Sequence, residues 1–94
     1  MTGKQRKYLK GLAHNLKPVV RVGRTGVSGS LIKAVDQALF EHELIKVRMY
    51  DPEDKKAMAG RMAKSTGAEL VGIIGHTAIL YRPDSEEPVI RLPE

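Results

Sequence analysis

Residues 19–30 read Val-Val-Arg-Val-Gly-Arg-Thr-Gly-Val-Ser-Gly-Ser: a β-branched run, a glycine-flanked tetrad, then two serines. Val19, Val20 and Val22 favour a short strand, because branched side chains suit a pleated surface. Gly23-Arg24-Thr25-Gly26 follows as a tight turn. Ser28 or Ser30 can accept from the free amides of a helix start, which places a helix over roughly residues 29–42. Strands alternating with helices make a sheet covered by helices.

The rest of the chain extends this pattern in both directions. Upstream, Thr2 can cap a helix over roughly residues 3–14. Leu9, Leu12, Ala13 and Leu16 recur at helical spacing and predict its apolar stripe. Lys4, Arg6, Lys7 and Lys10 fall mostly off that stripe, and Pro18 prevents the helix from continuing. Downstream, Leu31, Val35, Ala38 and Leu39 predict the buried face of the second helix. Leu44 to Tyr50 predicts a second strand, with Lys46 and Arg48 alternating outward. Asp51-Pro52-Glu53-Asp54 reads as a helix start, with an acid as cap and proline in the first helical position. That third helix should run to about Ser65 and stop at Gly67. Leu70 to Ile74 predicts a third strand, Gly75-His76 a hairpin turn, and Thr77 to Tyr81 a fourth strand. The order is α-β-α-β-α-β-β. The fold class is α/β (α+β), a four-stranded mixed sheet packed with helices and closing in an antiparallel hairpin. One domain over residues 1–94 is expected, with a core over about residues 3–83. The tail, residues 84–94, is short and polar, with Val89, Ile90 and Leu92 able to dock.

The chain has 94 residues, 16 Lys or Arg and 11 Asp or Glu, for a net charge of +5. The distribution matters more than the total. Lys4, Arg6, Lys7, Lys10, Lys17, Arg21, Arg24 and Lys33 lie in the first 35 residues, which hold no acid. The remaining 59 residues hold eight bases against eleven acids, a net of −3. Such asymmetry points to a surface for a polyanion. No apolar run is long enough to span a membrane, and no apolar segment marks a secretory signal. There are no cysteines, which excludes disulfides and thiolate metal sites. A cytoplasmic location is the expectation.

The Gly23–Gly26 tetrad suits phosphate for physical reasons. Glycine admits close approach of a ligand to the backbone. Successive amides can cradle an anion, and the start of the next helix adds its own free amides and dipole. Arg24 and Thr25 add a guanidinium and a hydroxyl. A bare Gly-x-x-Gly is also an ordinary strand-to-helix turn; the acid-free basic segment around it favours the phosphate reading. Lys46 and Arg48 extend the cationic field if their strand face is open. The glycine spacing does not match dinucleotide or nucleotide-hydrolysing loops.

Other chemistry is weakly represented. His14, His42 and His76 are scattered, with no metal-ligand spacing, so no metal and no cofactor are expected. His14 and His42 suit helix C-termini. The acids at Asp51, Glu53 and Asp54 are explained by helix capping, and no pair suggests acid–base catalysis. The expectation is a non-enzyme. Aromatics are few: Tyr8, Phe40, Tyr50 and Tyr81. That favours recognition of backbone and shape in folded RNA over reading of single strands.

Longer strings carry a resemblance. Leu12-Ala13-His14, Leu16-Lys17-Pro18-Val19-Val20 and Val22-Gly23-Arg24-Thr25-Gly26 resemble the YhbY family. These are single-domain bacterial proteins with the CRM domain, named for chloroplast RNA splicing and ribosome maturation. His42-Glu43-Leu44-Ile45-Lys46-Val47, Ile74-Gly75 and Leu80-Tyr81-Arg82-Pro83 continue the similarity. The resemblance implies the element order given above and a fold similar to the C-terminal domain of translation initiation factor 3. It implies RNA binding through the loop of Gly23, Arg24, Thr25 and Gly26; the charge distribution adds Lys4, Arg6, Lys7, Lys10, Lys17 and Arg21 as the cationic face. It implies ribosomal RNA of the large-subunit precursor as partner, with ribosomal proteins nearby. A protein–protein adaptor and a small DNA-binding protein are the alternatives.

Overall fold

The computed structural model of the protein describes residues 1–50 and 52–94. Its elements are α1 (Gly3–Ala13), β1 (Val20–Val22), α2 (Gly29–His42), β2 (Leu44–Met49), α3 (Lys55–Thr66), β3 (Glu69–Ile74) and β4 (Thr77–Tyr81). The order and types agree with the sequence expectation. The sheet runs β1-β2-β4-β3, with β1 parallel to β2 and the other pairs antiparallel.

Strand alternation divides the sheet into two faces. Val22, Ile45, Val47, Met49, Ala78 and Leu80 point to one face, where Val35 and Leu39 of α2 and Ala59 and Met62 of α3 complete the main core. Leu44, Val71, Ile79 and Tyr81 point to the other, where they meet Leu9 and Ala13 of α1. The helices therefore lie on both faces, and α1 alone occupies the second.

α1 starts where expected. The Thr2 hydroxyl accepts from the Gln5 amide at 3.1 Å, and the Gln5 side chain returns the bond to the Thr2 amide, a reciprocal capping box. The predicted stripe is only half buried. Leu9 and Ala13 are fully covered, whereas Leu12 and Leu16 are about 40% exposed. The helix ends at Ala13, so Leu16 leaves the helical register, and the contact with the sheet is narrow. Burying Leu9 contributes about 1.5–3 kcal/mol, and polar contacts add to it. Arg6 donates to the carbonyls of Leu70 and Val71 at 2.7 and 3.1 Å. Those carbonyls sit at a bulge in β3, where the ladder slips between Leu70 and Gly72. Arg6, expected mostly off the apolar stripe, thus anchors α1 to β3. Lys10 lies along Gly72; a Cβ there would come within 2.7 Å of the Lys10 Cε.

One helix start was open in the sequence, and another was placed too early. Ser28, not Ser30, caps α2, accepting from the Leu31 amide. α3 begins later than expected: Asp54 is its cap, accepting from the Ala57 amide at 3.0 Å, and Lys55 is its first residue. Pro52 is therefore not the first helical residue, and the capping role expected of Asp51 falls on a residue outside those described. Asp54 has both the side-chain oxygen and the extended backbone that a cap requires, so the helix needs no earlier one. Gly67, in the left-handed region at φ +69, ends α3 as anticipated.

The tail docks onto a buried acid. Glu43 caps the C-terminus of α2 at φ 61, the one non-glycine residue with positive φ among those described. Its carboxylate accepts from the amides of Asp84, Val89 and Ile90 at 2.7 to 3.1 Å. Ile90 and Leu92 then pack on the α1 face, while Val89 stays exposed. Arg82 donates to the Asp36 carboxylate and to the Thr66 carbonyl, joining α2 to the end of α3.

Candidate functional site

The Gly23–Gly26 loop sits between two fixed points. Val22 before it is buried, and Val27 after it packs on the main core. The Gly26 amide donates to the Gly23 carbonyl at 3.1 Å and closes a four-residue turn. Gly26 has φ +71, where a side chain is strained; Gly23 does not use that region. Among the described residues, nothing lies within 4 Å of where a Cβ at Gly23 would stand. Arg24 and Thr25 are exposed at the tip. Among the described residues, their amides have no hydrogen-bond partner. The turn leads through Val27 into the Ser28 cap and the first amides of α2.

Beside the loop is a groove of about 470 Å³, lined by Gly23, Arg24 and Gly26 on one side. Tyr50, Glu53, Asp54, Met58 and Arg61 line the rest. Acids therefore share this groove, but they do not cover the loop. Among the described residues, Arg82 is the only Lys or Arg within salt-bridge distance of a carboxylate. Among those residues, no carboxylate holds Arg24 or Arg61.

The other cations form two groups. Val20 and Val22 point into the main core, so Arg21 between them faces the α1 side of the sheet. In the parallel register Arg21 pairs with Arg48, and Lys46 lies two residues further along on the same face. α1 docks at the Leu44 end of β2, whereas the loop follows β1 at the Met49 end. Five steps along a strand separate those ends by roughly 17 Å. Across that span runs the half of the sheet that α1 leaves uncovered, carrying Lys46, Arg48 and Arg21. The Lys46 ammonium reaches back to the His14 carbonyl at 3.3 Å, which ties this row to the end of α1.

Lys4 and Lys7 belong elsewhere. They flank a shallow hollow with Tyr8, Leu12 and Pro93 on the outer side of α1. No lysine of α1 lines the groove at the loop. Lys17 borders an apolar groove formed by Leu12, Leu16, Val19, His42, Leu44 and Ile90. The structure therefore joins Arg21 to the loop directly, and α1 only through the open sheet. Arg48 and Lys46, which the sequence made conditional on an open strand face, are half-buried and lie beside Arg21 on that face. Tyr50 and Arg61 were missed. Their partners come from another element, and only the placement of α3 beside the loop reveals them. Among the described residues, no three His, Asp or Glu side chains converge as metal ligands.

Comparison with known proteins covers nearly the whole chain. Residues 1–82 match the family described as the CRS1 / YhbY (CRM) domain. An RNA-binding protein of Haemophilus influenzae is 43% identical over 95 residues, covering 99% of this chain and 95% of that protein. The probable RNA-binding protein YqeI of Bacillus subtilis is 40% identical over 95 residues, covering 99% of each. The solution structure of the Staphylococcus aureus protein SAV1595 matches with a TM-score of 0.85 at 40% identity, covering 99% of both chains.

Proposed function

The chain belongs to the CRS1 / YhbY (CRM) domain family, and from that premise we propose that it binds structured RNA as a non-enzymatic factor. The observation that carries this reading is the continuity of the exposed Gly23–Gly26 loop with the uncovered basic half of the sheet. A backbone phosphate rests on the open amides and on Arg24 at the turn. Arg21, Arg48 and Lys46 follow the backbone away from it, and Lys10 and Lys17 widen the field. Lys4 and Lys7 supply a more distant attraction. The relatives' names support RNA as the partner.

The finer proposal is that the RNA is ribosomal, in precursors of the large subunit, and that the protein acts in the cytoplasm. The resemblance to ribosome-maturation proteins supports it. The exposed apolar groove at Leu12, Leu16 and Val19 supports a second contact, with a ribosomal protein. Titration of protein-free large-subunit RNA tests the primary reading, with duplex DNA as competitor at matched salt. The RNA should bind directly and resist the DNA. If about five phosphates are neutralised, log affinity should fall against log salt with a slope of about −3 to −5. Affinity indifferent to salt, or equal affinity for duplex DNA, would contradict the reading.

A further inference from the structure

We propose that the groove beside the loop receives one unpaired nucleotide, its phosphate at the Gly23–Gly26 turn and its base stacked on Tyr50. This rests on the RNA-binding reading and adds to it a site for a base.

Tyr50 is the first reason. It follows the fully buried Met49, yet it is 50% exposed and belongs to neither core cluster. The Arg48 guanidinium lies 5.5 Å from the centre of its ring. That cation–π contact orients the ring without covering it in apolar side chains. An oriented, half-open aromatic is what a base needs for stacking, and a base gains by stacking whatever its sequence context.

The charges in the groove are the second reason. Arg24 and Arg61 line it together with Glu53 and Asp54. One Asp54 oxygen is already used as the cap of α3. Glu53 is exposed and makes no side-chain hydrogen bond or salt bridge among the described residues. A carboxylate inside the groove repels a phosphate but accepts from the N–H groups of a base edge. The phosphate therefore stays at the loop and the base turns inward. Guanine offers two parallel N–H groups to a carboxylate. Uracil offers one, flanked by two carbonyl oxygens that the carboxylate repels. The groove thus favours guanine over uracil. Its volume of about 470 Å³ falls in the roughly 300–1,000 Å³ range of small-ligand sites.

The test is a set of fluorescence-anisotropy titrations at one salt concentration. Three hairpin RNAs share a stem that is uninterrupted, carries one bulged G, or carries one bulged U. The wild-type protein should bind the bulged-G RNA about five-fold or more tighter than the uninterrupted stem. Tyr50→Ala should reduce that advantage to within about two-fold, and Tyr50→Phe should retain it. Glu53→Gln should narrow the preference for G over U. Equal binding of bulged and uninterrupted RNAs by the wild type overturns the base site, whether or not the variants fold. So does a folded Tyr50→Ala that keeps the preference, or one that loses affinity for all three RNAs alike. A wild-type protein that binds none of the three would sink the RNA-binding reading as well, which is a distinguishable outcome.

Discussion

Gly23 and Gly26 are equivalent in the sequence and different in the fold. Gly26 closes the turn at φ +71, so its lack of a side chain serves the protein's own backbone. Gly23 stays out of the positive-φ region, and among the described residues nothing lies near its Cβ position, so its bareness leaves room for whatever approaches from outside. Gly26→Ala should therefore lower stability by about 1 kcal/mol. Gly23→Ala should change stability by less than about 0.5 kcal/mol and still weaken RNA binding. Urea denaturation with an RNA titration separates the two roles; a Gly23→Ala protein that binds as well as the wild type would remove the close-approach argument. The loop itself was legible from residues 19–30, because β-branched residues, glycines and serines act locally. The division of labour was not, because a dihedral depends on how the turn closes. Glu43 was illegible for a related reason. It reads as one acid at a helix end, and its partners lie some forty residues away, at Asp84, Val89 and Ile90.

Among the elements, the tail and α1 depend on each other. Gln5 of α1 donates to the Pro93 carbonyl, and Ile90 and Leu92 pack beside Leu9 and Ala13. Glu43 holds this arrangement. Burial opposes its charge, but the Asp84, Ile90 and Val89 amides outweigh that and hold its carboxyl below the ordinary value of 4.5. A carboxyl depressed in the folded state stabilises the fold above its unfolded-state pKa. That stability is lost as pH falls from about 4.5 through the lower folded value. Glu43→Gln should cost about 1–3 kcal/mol near neutral pH, because an amide cannot serve three donors as a carboxylate does. The gap between variant and wild type should close in acid. Denaturation curves at both ends of that window check this, and a gap that stays constant with pH would show that the charge is irrelevant. Helical periodicity gave α2 its buried face, since Val35, Ala38 and Leu39 meet a broad core. The same periodicity overestimated α1, where two of the four expected stripe positions, Leu12 and Leu16, remain exposed. Amphipathic spacing reports which side of a helix is apolar, not how much of it the sheet covers.

At the scale of the whole molecule, the acid-free first third of the chain does not collapse into one cationic knob. β1 carries Arg21 to the open half of the sheet, the loop carries Arg24 to its edge, and α1 keeps Lys4 and Lys7 on its far side. Composition pointed to a polyanion surface; only strand register sets Arg48 of the second strand beside Arg21, and only the packing of α1 shows Arg6 bonded to β3. The central claim is that the loop and this basic face form the contact with RNA. Its most direct test compares salt-dependent RNA affinity for the wild type, Arg24→Glu, and a control, Lys64→Glu, in the last turn of α3. Arg24→Glu should stay folded, bind more weakly and reduce the magnitude of the salt slope by about 1, with the control close to the wild type. Equal losses in the two variants, or an undiminished slope in Arg24→Glu, would place the RNA elsewhere on the protein.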